Sequence, residues 1–65
     1  MSYGNVYIKA DIRKLKKRGW TKTQIVDVLG AKINDRYSDI SITRGKRIVK
    51  KLYEGKNTTF KDWAR

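Results

Sequence analysis

The chain of 65 residues contains no cysteine, no histidine and no proline. Without cysteine it cannot form a disulfide, and without cysteine or histidine it lacks the usual zinc ligands. The commonest general bases and nucleophiles are also absent, and the six acidic residues are scattered. We therefore expect no catalytic residues, no metal site and no cofactor. A chain this short must be held together by packing around one small core, since no covalent staple is present.

The sequence also lacks any apolar run long enough to cross a membrane. Its first residues, 1–5, show no basic segment followed by an apolar core, so they do not read as a secretory signal. We expect a cytoplasmic protein of a single domain, residues 1–65, with no membrane partner and no small-molecule ligand.

What the chain has in excess is positive charge, with 17 Lys and Arg against 6 Asp and Glu, a net charge of +11. Two blocks, residues 9–18 and 44–51, each carry a net charge of +5, while residues 19–43 are neutral. Both blocks alternate with apolar residues, as ordered amphipathic helices do and disordered basic tails do not. A polyanion such as nucleic acid is the expected partner. The alternative is that the basic residues only form an ordinary solvated surface.

Apolar spacing and capping signals predict the first two helices. Ile8, Ile12 and Leu15 form one helix face, which predicts a helix over residues 6–18 with Asn5 as its N-cap and Gly19 following its end. Thr21 and Gln24 then have the spacing of a capping box, which predicts a short helix over residues 22–29, ended by Gly30.

Residues 31–42 are harder to assign. Ile40-Ser41-Ile42 alternates and is β-branched, and Asn34-Asp35-Arg36 is rich in turn formers, so a short β-hairpin pairing Ile33 with this stretch is one reading. The other reading is an extended, irregular turn whose apolar residues reach the core.

A longer helix is predicted over residues 43–54, with Thr43 or Ser41 as its cap and Gly55 after its end. Gly45 falls on the apolar face of this helix, where it would permit close approach of another helix. The opposite face is strongly basic and carries Arg44, Lys46, Arg47, Lys50 and Lys51. A C-terminal helical turn is expected at residues 58–64, with Phe60 and Trp63 covering the core or, alternatively, forming a dimer contact or a base-stacking platform.

The stretch from Ile12 to Gly30, IRKLKKRGWTKTQIVDVLG, resembles the front half of small homeodomain-like helix-turn-helix domains of bacterial and phage regulators. The likeness covers roughly residues 6–54 and rests on spacing: an amphipathic helix, a glycine break, a capped short helix and Leu-Gly. In that family a tight turn and a recognition helix follow, whereas here residues 30–42 stand before the basic helix. The fold class expected is therefore mainly α, a three-helix core with the 31–42 segment as turn or hairpin.

The resemblance implies that helix 43–54 docks in the major groove of DNA. Arg44 and Arg47 are then the candidates for base edges, because a guanidinium binds guanine in a bidentate manner. Contacts to phosphates or to the DNA backbone are expected from Lys46, Lys50, Lys51, Ser41, Thr43, Lys22, Thr23, Lys16 and Lys17. For the residues that begin the second helix, a role in capping alone is the competing interpretation.

The function expected from these features is that of a small, sequence-specific, nucleoid-associated regulator of transcription that binds double-stranded DNA. Its size is typical of phage or mobile-element products. We expect a homodimer or a cooperative array on DNA, because one small domain rarely reaches useful affinity alone. The alternatives are an architectural or recombination-directionality factor that bends DNA, an RNA-binding protein, and a basic inhibitor of an acidic enzyme.

Overall fold

The computed structural model describes residues 2–63, which form four helices and, within that range, no strand. The helices are α1 (Ser2–Lys17), α2 (Lys22–Arg36), α3 (Ile42–Tyr53) and the single turn α4 (Phe60–Trp63). The predicted mainly helical class is confirmed. The last residues of the predicted C-terminal turn, from position 64 on, lie outside the described range.

Three helices and one connecting residue build the core. Its buried members are Ile8 and Ile12 of α1, Ile25, Leu29 and Ile33 of α2, Ile48, Val49 and Leu52 of α3, and Ile40 between α2 and α3. Each helix supplies a stripe with the three- and four-residue spacing that keeps side chains on one face. The core is almost entirely β-branched or leucine, so its stability comes from burial of aliphatic area.

Helix α1 begins earlier than the sequence pattern predicts. The prediction of a start at residue 6 with Asn5 as N-cap is wrong, since Asn5 lies inside α1. Its carboxamide oxygen instead accepts hydrogen bonds from Thr58 Oγ1 at 2.6 Å and from Trp63 Nε1 at 3.2 Å. The end of α1 is as predicted: Gly19 has φ +84°, and the Trp20 amide donates to Leu15 at 3.1 Å, which closes the helix.

The capping box at the start of α2 is confirmed. The Gln24 amide donates to Thr21 Oγ1 at 3.2 Å, and the Thr21 amide donates to Gln24 Oε1 at 3.0 Å. The predicted end at Gly30 is wrong, because α2 continues to Arg36 and Gly30 is buried in its middle. Gly30 permits the close approach of another helix and does not end α2.

Of the two readings of residues 31–42, the β-hairpin is not present, and the irregular turn spans only part of that range. Residues up to Arg36 extend α2, because Ile33 continues the apolar stripe of Ile25 and Leu29 and is buried with them. The connection is only residues 37–41, and it is fixed by the Asn34 side chain, which donates to the Ile40 carbonyl at 2.7 Å. Ile33 and Ile40 are both buried in the helical core, where they pack as side chains and do not pair as strands.

Helices α2 and α3 pair as an antiparallel helical hairpin. Glycine faces glycine at their closest approach, where a Cβ built on Gly45 would lie 2.7 Å from the Gly30 carbonyl oxygen. The ion pairs show that the two helices run antiparallel. Asp27 of α2 pairs with Lys46 of α3 at 3.3 Å, and farther toward the start of α2, Lys22 pairs with Glu54, just after α3, at 2.8 Å. The predicted close approach at Gly45 is therefore confirmed.

The caps of α3 distinguish the two candidates that the sequence left open. Ser41 is the N-cap, since its Oγ accepts from the Arg44 amide at 3.2 Å, and Thr43 lies within the helix. At the other end Gly55 has φ +81°, and the Lys56 amide donates to the Lys51 carbonyl at 2.9 Å. This is the same glycine-dependent closure as at Gly19.

Of the two aromatic residues in the C-terminal turn α4, only Trp63 packs against the core. Trp63 packs edge-to-face on Tyr37, with ring centroids 6.0 Å apart, and its ring lies where a Cβ on Gly4 would clash at 2.8 Å. Phe60, by contrast, is 75% exposed, so its predicted role in covering the core is wrong. Phe60 is the first residue of α4, and the inward contacts of this turn are made by Trp63, whose Nε1 donates to Asn5 and Thr58.

Candidate nucleic-acid interface

The outward face of α3 is one of two basic surfaces that the sequence places on helices. Thr43, Arg47 and Lys50 are all exposed and lie opposite the buried residues of α3. No acidic residue occurs between Asp39 and Glu54, so α3 itself contributes no carboxylate to this face. We call these three residues the α3 face.

Two of the predicted phosphate contacts on α3 are engaged within the chain. Lys46 is half-buried against α2 and bonds to Asp27, while Lys51 bonds to both oxygens of Asp62 at 3.0 Å. The Asp62 carboxylate is only 12% exposed. Lys51 therefore holds α3 to α4, whereas the Lys46–Asp27 pair, whose side chains are 43% and 56% exposed, is weak. The α3 face points to solvent.

The Asp62 carboxylate is kept anionic by several donors. The Thr59 amide donates to it at 2.7 Å, and Lys51 adds a charged hydrogen bond, so the pKa of Asp62 is lowered from its ordinary value. The three-residue spacing of Thr59 and Asp62 is that of an N-cap and an N3 acid at the start of α4. That spacing is the signal in the sequence that indicates this partner of Lys51.

A shallow groove between α2 and α3 brings together three of the predicted backbone contacts. Lys22, Thr23 and Lys50 line it together with Val26 and Asp27. Lys22 is also hydrogen-bonded to Glu54, and this bond lowers the pKa of the Glu54 carboxyl. Because both side chains of that pair are partly exposed, the pair is weak and Lys22 can exchange it for a phosphate.

The remaining candidates lie apart from the α3 face. Lys16 places its ammonium 4.2 Å from the centre of the Tyr53 ring, a cation–π contact that joins α1 to the end of α3. Lys17 is exposed on α1. The Ser41 hydroxyl is occupied by its capping bond, while Arg44 is half-buried on the flank of α3. The residues predicted for the interface therefore fall into separate groups, and Arg47, Lys50 and Thr43 form the α3 face.

The described part of the chain presents neither a membrane-spanning helix nor a metal cluster. No helix within residues 2–63 is both long and apolar enough to cross a bilayer. No group of three or more acidic side chains in the same range is arranged to hold a metal ion.

Comparison with known proteins gives no relative: no protein-family model, curated protein or solved structure matches this chain. Inferences about function therefore rest on the residues and geometry given above.

Proposed function

We propose that the protein binds double-stranded DNA through the α3 face and regulates transcription, as a cytoplasmic, nucleoid-associated protein. The observation that carries this proposal is an exposed helix face made of Thr43, Arg47 and Lys50, on a helix that has no carboxylate. A single α-helix fits the major groove, and the net charge of +11 supplies the attraction to a polyanion.

The α3 face assigns different roles to its three residues. Arg47 lies at its centre and is the residue we propose for a base edge, because its fork of donors matches the acceptors of guanine. Lys50, with Lys22 and Thr23 across the groove, is proposed to contact phosphates, which a flexible ammonium binds without reading sequence. Arg44 is a second, flanking candidate for a base edge.

The decisive experiment is selection of bound duplexes from a random DNA pool at near-physiological salt. We expect an enriched motif, and a palindrome would reveal a homodimer or a cooperative pair. The variant Arg47→Ala should then lose discrimination at one position by about 1–3 kcal/mol, whereas Lys50→Ala should weaken all duplexes and reduce the salt slope by about one. Lys61→Ala, an exposed cation of α4, is the matched control.

Each other outcome of the selection points to a different role. An unchanged motif with Arg47→Ala would contradict the proposed docking of α3. Duplexes that are bound and bent without any motif would replace the regulator with an architectural or directionality factor. Preference for RNA in direct competition would refute duplex DNA as the partner.

A further inference from the structure

The second basic surface of the molecule lies on α1 and is not used by the proposed docking of α3. Its cations are exposed and belong to the outward side of the helix: Lys9, Arg13, Lys14 and Lys17. We call this set the α1 face. Within the described range, none of the four forms an ion pair, and the one acid of α1, Asp11, is bound to Lys32 of α2 at 2.7 Å.

The α1 face and the α3 face point away from each other. Helix α1 packs on the side of α3 that carries Leu52, and Lys9 and Arg13 line the groove between the two helices. By helical periodicity, Thr43 and Lys50 lie on the side of α3 opposite Leu52, and Lys17 lies on the side of α1 opposite Ile8. The α1 face therefore lies at this groove and beyond it, on the side of α3 that is turned away from Thr43 and Lys50.

The domain between these faces is thin, with Cα extents of 32 × 19 × 15 Å. A rigid duplex lying along the α3 face runs past one side of the molecule and does not wrap to the other. Phosphates of that duplex therefore leave the α1 face unneutralised and available to another anion.

The α1 face also carries a local electrostatic cost. Lys9 and Arg13, and Arg13 and Lys17, are like charges four residues apart, and such pairs destabilise a helix. The macrodipole compensates cations in the last turn, but Lys9 lies two turns before the end of α1. An external polyanion along the helix would relieve the repulsion of the whole row.

We propose that the α1 face binds a second DNA duplex, so that one protein molecule bridges two duplexes. The inference rests on the proposed function, since the first duplex is the one held by the α3 face. The row from Lys9 to Lys17 is about 12 Å long, and duplex DNA presents one phosphate charge per about 1.7 Å of axis, so one duplex offers each cation a partner. A membrane surface is the less suitable anion, because it requires exposed bulky apolar residues among the cations. The exposed apolar residues Val6 and Tyr7 both precede Lys9, and no residue between Lys9 and Lys17 that is both apolar and larger than alanine is exposed.

The test compares two variants of equal charge change with the unaltered protein. Lys9→Gln/Arg13→Gln removes two cations of the α1 face, and Lys56→Gln/Lys61→Gln removes two exposed cations elsewhere. Glutamine is a good helix former, so α1 keeps its structure, which circular dichroism checks. One assay measures the anisotropy of a labelled duplex, and the other measures capture of a labelled duplex by protein bound to an immobilised one.

We expect Lys9→Gln/Arg13→Gln to keep its affinity for one duplex within about threefold and to lose capture of the second by about tenfold or more. The control variant should keep both. If the α1-face variant captures the second duplex as well as the unaltered protein does, bridging runs through a dimer or another surface and the inference is overturned.

Three further outcomes also decide against the inference and are distinguishable. Failure of the unaltered protein to bind any duplex in the anisotropy assay refutes the proposed function itself. Binding of one duplex without capture of a second refutes bridging alone. If Lys9→Gln/Arg13→Gln instead loses binding to phosphatidylserine vesicles while capture is unchanged, the α1 face belongs to a membrane surface.

Discussion

Replacing Gly45 with alanine tests the packing on which the α2–α3 hairpin depends. A Cβ at this position would lie 2.7 Å from the Gly30 carbonyl oxygen and 3.4 Å from the Gly30 carbonyl carbon and Cα. Even weak carbon–oxygen hydrogen bonds keep these atoms about 3.3–3.6 Å apart. The obstructing atoms are backbone atoms of α2, so no side-chain rotation relieves the clash and the two helices must move apart.

The expected loss follows from two opposing effects. Overpacking a close-packed contact destabilises by about 1–3 kcal/mol, and alanine is about 1 kcal/mol better than glycine in a helix interior. The net change in the free energy of unfolding is therefore a loss of up to about 2 kcal/mol. For a domain of this size a loss of about 2 kcal/mol corresponds to a fall in Tm of roughly 8–16 °C.

Urea denaturation followed by far-UV circular dichroism gives the free energy of unfolding. Ala31→Gly is the matched calibration, because Ala31 is exposed in α2 beside Gly30 and reports the alanine–glycine difference without a clash. Gly30→Ala should also destabilise, since its Cβ would meet the Lys46 backbone nitrogen at 3.0 Å. The double variant should lose less than the sum of the single losses, because the first separation of the helices makes room for the second.

A gain in stability for Gly45→Ala, equal in size to the loss for Ala31→Gly, would refute this reasoning. It would mean that α3 does not touch α2 at Gly30 and that helix propensity alone governs position 45. The antiparallel pairing through Asp27–Lys46 and Lys22–Glu54 would then require revision as well.

The C-terminal turn provides two further predictions. Asn5→Ala removes the acceptor shared by Thr58 and Trp63, and we expect a loss of about 1 kcal/mol with red-shifted tryptophan emission; emission unchanged from the parent would contradict the contact. Because its pKa is lowered, Asp62 contributes stability that is complete above its ordinary value of 3.8 and is lost as the pH falls through its folded value. Asp62→Asn should therefore be less stable at neutral pH and lose less stability on acidification, measured by thermal unfolding between neutral and acidic pH; equal acid sensitivity would exclude Asp62 as the cause.

Local signals in the sequence predicted much of the fold. The capping box at Thr21 and Gln24 and the glycine closures at Gly19 and Gly55 depend on neighbours within a few residues, and all three are present. The segregation of α3 into a buried and a basic face was equally readable, because helical periodicity alone sorts its residues. The outward position of Arg47 and Lys50 follows from that periodicity.

Errors arose where a distant partner decides the local structure. Gly30 has the sequence signature of a helix end, but α3 packs against it, and the core retains Ile33 in the same helix. Asn5 has the signature of a cap, but its partners are 53 and 58 residues away in the chain. A short window of the sequence contains neither Gly30 together with its partner helix nor Asn5 together with its hydrogen-bond partners.

The sequence by itself determined the helical class, the capping box of α2, the glycine closures after α1 and α3, and the excess of positive charge in two blocks, since composition and short-range spacing suffice for these. Only the tertiary structure decided which cations remain available. It pairs Lys46 and Lys51 with carboxylates of α2 and α4, leaves Arg47 and Lys50 exposed, and packs α1 and α3 around one core. The physical reason is that ion pairing and the direction of a helix face depend on which helices meet, and long-range burial of aliphatic side chains sets that arrangement.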